Sequence, residues 1–152
     1  MNRTISVLVI TTLILSYLTI GIINAEEKSK EKTSSDTDKA VTTLIAYYFH
    51  GNFRCDNCRK IEQYSREAIE KYFVEELKTK KLTFTIINTD LSENKHFIED
   101  YQLYTRSLVI AEYKDGKQVK WKNLAKVWEY LKDKDAFYEY VRSEIRNYLE
   151  KV

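Results

Sequence analysis

Residues 41–62 read VTTLIAYYFHGNFRCDNCRKIE, and the fold turns on how this stretch is divided. Val41 to Phe49 is short, β-branched and aromatic, and His50-Gly51-Asn52 closes it: a strand followed by a turn. A central strand is expected. Beyond the turn stand Cys55 and Cys58, the only two cysteines of the chain. From Asp56 the period changes. Ile61, Tyr64, Ala68, Ile69, Tyr72, Phe73 and Leu77 fall on one face of a helix, predicted to run from about Asp56 to Leu77. The Cys-Asp-Asn-Cys pair therefore lies where a strand hands over to a helix.

Further along, Leu82 to Asn88 (LTFTIIN) places Leu82, Phe84 and Ile86 on one side, and Ile87 extends the apolar character, which predicts a second strand covered on both faces. Asp90 or Ser92 is suited to cap a short helix ending at Tyr101. Ser107 to Tyr113 reads as a third strand, Lys114-Asp115-Gly116-Lys117 as a reverse turn of the Asp-Gly kind, and Gln118 to Trp121 as a returning fourth strand. Val127, Trp128 and Leu131 suit a short helical segment; Phe137, Val141, Ile145, Tyr148 and Leu149 suit a longer one. Strand, helix, strand, helix, hairpin, helix calls for a mixed sheet with helices on both faces. No internal repeat interrupts this order.

Upstream, residues 5–23 (ISVLVITTLILSYLTIGII) carry no charge and are preceded by Arg3. They read as an export signal, with Ile23-Asn24-Ala25 an acceptable cleavage site. The stretch is also close to the roughly 20 apolar residues of a spanning helix, so residues 1–25 are a signal peptide or a membrane anchor. Either way the rest of the chain is expected outside the cytoplasm, secreted or held at the outer face of the cytoplasmic membrane through residues 5–23. Residues 26–39 (EEKSKEKTSSDTDK) contain no apolar side chain and read as a charged tether. Residues 40–152 are left for one domain. With 152 residues, 43% hydrophobic and 32% charged, the chain has the balance of a globular protein. Its net charge of +2 is no footprint for nucleic acid. Only three Gly and two His leave no phosphate loop, Ser-His-Asp set or metalloprotease helix. Proline is absent altogether, and the 12 Tyr are assigned to packing rather than chemistry.

The order of elements, with Cys-x-x-Cys between first strand and first long helix, resembles the thioredoxin-like superfamily over residues 40–152. The expected fold is α/β, a central four-stranded mixed sheet flanked by helices. Tyr47 to Glu62 (YYFHGNFRCDNCRKIE) is more narrowly similar to a small exported family labelled as a nitrophenyl-compound nitroreductase subunit. The wider resemblance implies thiol/disulfide exchange, with Cys55 attacking and Cys58 resolving. The narrower one implies a redox partner role, as an accessory subunit of a nitroreductase-type system. Three positions depart from the superfamily. Arg54 replaces the usual Trp before the first cysteine, and Phe49 stands where a buried acid is common. The loop that faces the cysteines, Tyr104-Thr105-Arg106-Ser107, has no proline. Together they point to a dedicated protein partner rather than a general-purpose thioredoxin.

Thiol exchange proceeds through the thiolate, so an attacking cysteine needs a lowered pKa. A helix N-terminus supplies partial positive charge. Arg54, Arg59, Lys60 and His50 add to it, and Asp56 opposes it. His50 is a candidate for tuning or proton transfer because imidazole titrates in the useful range; Glu62, one turn after Cys58, could relay a proton, although a solvated carboxylate is its plainer reading. A purely structural disulfide closing so short a loop would remove little unfolded-state entropy. No cofactor is needed beyond the disulfide itself. The rival reading is a copper(I) or zinc binding or delivery module using Cys55, Cys58 and His50; the other histidine, His96, falls on a predicted helix surface.

Overall fold

The computed structural model describes residues 41–150. The leader and tether expected over residues 1–39 lie outside the described residues, and no described helix is long and apolar enough to cross a membrane.

Strand β1 (Thr42–His50) occupies the middle of a four-stranded sheet of order β2-β1-β3-β4. It pairs in parallel with β2 (Leu82–Asn88) and antiparallel with β3 (Ser107–Lys114), which in turn pairs antiparallel with β4 (Lys117–Asn123). The parallel pair requires a crossover, made by helix α1 (Asp56–Tyr72) and a further turn, α2 (Val74–Lys78). The β3–β4 pair is a hairpin. Asp115 and Gly116 both adopt positive φ, 50° and 76°, the combination that a two-residue turn of type I′ demands. A 3₁₀ turn (Ser92–Asn94) and helix α3 (His96–Asp100) join β2 to β3, and a 3₁₀ segment (Ala125–Lys132) leads into the last helix, α4 (Lys134–Leu149).

Alternation along β1 divides the core in two. Leu44, Ala46 and Tyr48 face a cluster completed by Ile61, Ala68, Ile69 and Phe73 at the α1 end and by Phe137, Val141 and Ile145 of α4. Tyr47 and Phe49 face the other way, with Val109, Ala111 and Tyr101, against the much shorter α3. This is the expected mixed sheet with helices on both faces, unequally shared. The long α1 and α4 lie together on one side.

Four elements differ from the sequence reading. The helix expected to reach Leu77 breaks at Phe73, whose backbone leaves the helical region (φ −130°, ψ 38°) while its ring is buried. Strand β2 is an edge and its two faces are covered only in part: Leu82 is buried, Phe84 and Ile86 lie half-covered against one core cluster and Ile87 against the other. Neither Asp90 nor Ser92 caps α3: the helix follows Lys95 without a side-chain cap, while Asp90 accepts the Asn52 N–H and the Ser92 hydroxyl donates to Glu93. The segment carrying Val127 and Leu131 is 3₁₀.

Candidate functional site

The cysteines stand at the C-terminal end of β1, where the chain turns into α1. Cys55 is the N-cap of α1, in extended conformation, and its sulfur accepts the N–H of Cys58 at 3.1 Å. The two residues are disulfide-bonded, with Cα atoms 5.0 Å apart. Their surroundings are unequal. Cys55 is half-exposed, whereas Cys58 lies on the buried face of the helix at 2% exposure. One sulfur can be approached from solvent and the other is held behind it.

The loop before Cys55 is tied firmly to the neighbouring strand end. The carbonyl of His50 accepts the Thr89 N–H at 2.8 Å and the Thr89 hydroxyl at 3.1 Å. Asn88 donates its amide to Asn52 Oδ1 at 2.8 Å, and the Asn52 N–H donates to Asp90 Oδ2 at 2.7 Å. Gly51 allows this closeness: a Cβ there would come within 2.7 Å of Asp90 Oδ2, and the carboxylate would have to shift. Such a web fixes where the first cysteine is presented.

Below the pair lies Tyr48, fully buried, whose hydroxyl donates to the Cys58 carbonyl at 2.6 Å. Burial raises its pKa to about 12 despite the attraction of Arg54 and Arg106, so the phenol remains a donor. Arg54 forms an ion pair and hydrogen bond with Glu62, and Arg66 reaches the other Glu62 oxygen at 3.6 Å. Glu62 is therefore held between two guanidinium groups. Arg59 extends back to the Arg54 carbonyl, at 3.4 Å from both Nε and Nη2.

The facing loop comes over from the far side of the sheet. Arg106 donates through Nη2 to the Phe53 carbonyl at 3.1 Å, and its own carbonyl accepts the Trp128 indole N–H at 3.0 Å. Ser107 donates to the Thr105 carbonyl at 2.9 Å and accepts the Asn123 amide. The proline-free loop is thus held by side chains, and Arg106 joins it to the residue two before Cys55. His50 ends β1 with its ring 6.1 Å from that of Tyr48 and Nδ1 2.9 Å from the Gly51 carbonyl. Since a carbonyl only accepts, Nδ1 carries the proton and Nε2 is the free position. His50 and Arg106 both line a cleft of about 170 Å³ that also includes Gly51, Asp90, Tyr104 and Thr105. Among the described residues no group of three or more His, Cys, Asp or Glu is placed to hold a metal ion. The structure therefore does not assemble Cys55, Cys58 and His50 into the ligand set of the metal reading. His96 is exposed on α3.

Tyr48 and the reach of Arg106 were not legible in the sequence. A tyrosine between Tyr47 and Phe49 looks like any other core residue, and a contact spanning 53 positions leaves no local pattern.

No protein-family profile matches the sequence, and no match was found among curated proteins. Among solved structures the chain is similar to a thioredoxin of Fasciola hepatica, at 20% identity over 59% of this chain and 79% of that one, with a TM-score of 0.37. A mutant thioredoxin from Halobacterium salinarum NRC-1 gives the same identity and TM-score over 66% and 73%. A thioredoxin-2 described as a component of malaria parasite protein secretion machinery gives 14% identity over 64% and 88%, with a TM-score of 0.36. The thioredoxin-like α/β fold is read from the sheet itself: β1 parallel to β2, an antiparallel hairpin on its other side, and the cysteines opening the first helix.

Proposed function

We propose that the protein is a thiol/disulfide oxidoreductase that exchanges electrons with a dedicated protein partner through Cys55 and Cys58. One observation carries this reading: a disulfide at a helix N-terminus with one cysteine reachable and the other buried. A structural staple has no need of that asymmetry; sequential exchange does. In the reduced protein the Cys55 thiolate attacks one sulfur of a partner disulfide. A mixed disulfide forms, and the electron pair of the broken S–S bond leaves on the partner's other sulfur, which takes up a proton. The Cys58 thiol then loses its proton and attacks Cys55 Sγ, closing the Cys55–Cys58 disulfide and expelling the second partner thiol. Two electrons pass to the partner, whose two sulfurs take up one proton from Cys58 and one from solvent, which received the Cys55 proton when the thiolate formed. Run in reverse, a partner dithiol reduces the pair. The direction follows from the difference between the two reduction potentials.

The helix N-terminus and the nearby cations Arg54, Arg59 and Lys60 favour the Cys55 thiolate. The site of action is placed outside the cytoplasm, on the strength of the apolar run 5–23 and the charged segment that follows. An accessory redox subunit of a nitroreductase-type system is the narrower form of the reading, and the likeness of residues 47–62 supports it. Incubating the reduced Cys58→Ser variant with a disulfide-bonded peptide tests the chemistry. A stable adduct mapping to Cys55 is expected, with none on the Cys55→Ser variant. Equal adduct formation by both variants would defeat the proposal. For location, intact mass and cell fractionation should give a chain outside the cytoplasm, either shortened near residue 25 or membrane-bound at full length.

A further inference from the structure

Two clefts flank the redox pair, and both are lined by arginine. The first, described above, holds Arg106 and His50. The second is an open groove of about 430 Å³ along the outer side of α1, lined by Arg54, Arg59, Glu62, Gln63, Arg66 and Glu67. Of the carboxylates in the two clefts, Glu62 is paired with Arg54 and Arg66 and Glu67 with Lys134 at 2.9 Å, while Asp90 accepts the Asn52 N–H and has no ion pair among the described residues. The cations are not all so engaged. Arg59 and Arg106 donate only to main-chain carbonyls, and Lys60 is exposed with no ion pair among the described residues. Asp56 and Asp90 are the nearby carboxylates likewise without an ion pair among them, two against these three cations. The local field around Cys55 is thus positive in a chain whose net charge is only +2. Between the clefts the two loops joined by Arg106 expose aromatic rings, Phe53 at 75% and Tyr104 at 97%. Exposed aromatics bordered by unneutralised charge make a surface suited to a polypeptide of opposite sign.

Building on the redox reading above, we infer that the surface around Cys55 docks an acidic segment of the partner, with carboxylate side chains on both sides of the partner's reactive cysteine. Arg59 and Lys60 meet one flank, Arg106 meets the other, and Phe53 and Tyr104 cover the backbone between. Docking of this kind raises the rate of encounter and discriminates against basic partners, and it weakens as salt screens the charges.

The test uses the reduced full chain and three peptides, each with one cysteine as its mixed disulfide with 2-mercaptoethanol, flanked on both sides by Glu, Gln or Lys. Second-order rates are expected in the order Glu, Gln, Lys, the first about tenfold above the second at low ionic strength, and converging in high salt. The ratio of Glu to Gln rates, which cancels any change in intrinsic thiol reactivity, should fall toward one in R59E/K60E, a surface change that Glu tolerates on a helix, and fall in part in Arg106→Gln. Equal rates for the three peptides, or an undiminished ratio in R59E/K60E, would overturn the inference while leaving the redox reading intact. Failure to react with any of them would instead remove the redox reading on which it rests. Equal peptide rates together with loss of binding to phosphatidylglycerol vesicles in R59E/K60E would reassign the patch to an anionic lipid surface and likewise overturn it.

Discussion

The phenol of Tyr48 fixes the carbonyl of Cys58, and its placement follows from strand alternation: Leu44, Ala46 and Tyr48 share the face on which α1 lies. Replacing it with Phe keeps the ring and removes one buried hydrogen bond. Denaturant titration of Tyr48→Phe should show a loss of about 1 kcal/mol, and Cys58 should resolve a mixed disulfide more slowly while Cys55 attacks at nearly the original rate. If both steps slow equally, the phenol does not act through Cys58. Gly51 belongs to the same scale. Its Cβ would displace Asp90 from the Asn52 N–H, so Gly51→Ala should cost about 1–2 kcal/mol by overpacking and loosen the loop before Cys55. Thermal melting measures the first effect and proteolysis near residue 52 the second. The Cys-Asp-Asn-Cys pair and its cationic neighbours could be read directly from the chain because they are adjacent in sequence. Tyr48 could not, since its partner is supplied by the angle at which α1 leaves the strand.

Between elements, α1 and α4 are joined at the surface by Glu67, which accepts from the Tyr138 hydroxyl and pairs with Lys134. The hydrogen bond from Tyr138, with those from Lys134 and Gln63, lowers the Glu67 pKa from its ordinary 4.5 to about 2. A carboxylate with a depressed folded-state pKa stabilises the fold above its unfolded value and loses that contribution as pH falls through the folded one. Glu67→Gln should therefore melt below the parent at neutral pH, with the gap narrowing between about pH 4.5 and 2. A gap that does not change with pH would show that charge is not involved. The helical period that announced α1 and α4 was strong because each presents one continuous apolar stripe. The break at Phe73 was hidden, since either a longer helix or a kink satisfies the same run of apolar residues. The edge position of β2 was hidden for a related reason: Ile86 and Ile87 are apolar, but which strands lie beside them is decided by pairing at long range.

Taken as a whole, the molecule places a thick helical layer on one face of the sheet and a thin one on the other, with the cysteines at the strand end where the loops after β1 and β2 and before β3 converge. The order of elements was legible because each change of hydrophobic period coincides with a turn residue. The convergence of the loops was not, since Arg106, Trp128 and Asn123 are polar or aromatic residues with no local motif. The side-chain lacing holds the facing loop without proline and sets the Cys55–Cys58 pair on a fixed frame. The direct test is equilibration of the described domain in defined thiol/disulfide buffers, followed by acid quenching, alkylation and mass measurement. A single reversible two-electron transition is expected, with Cys55 the first to be alkylated in the reduced protein, and with Cys55→Ser unable to transfer. A pair that stays oxidised or reduced across the whole range of buffers, or a Cys55→Ser variant that retains full transfer, would contradict the assignment of a redox function.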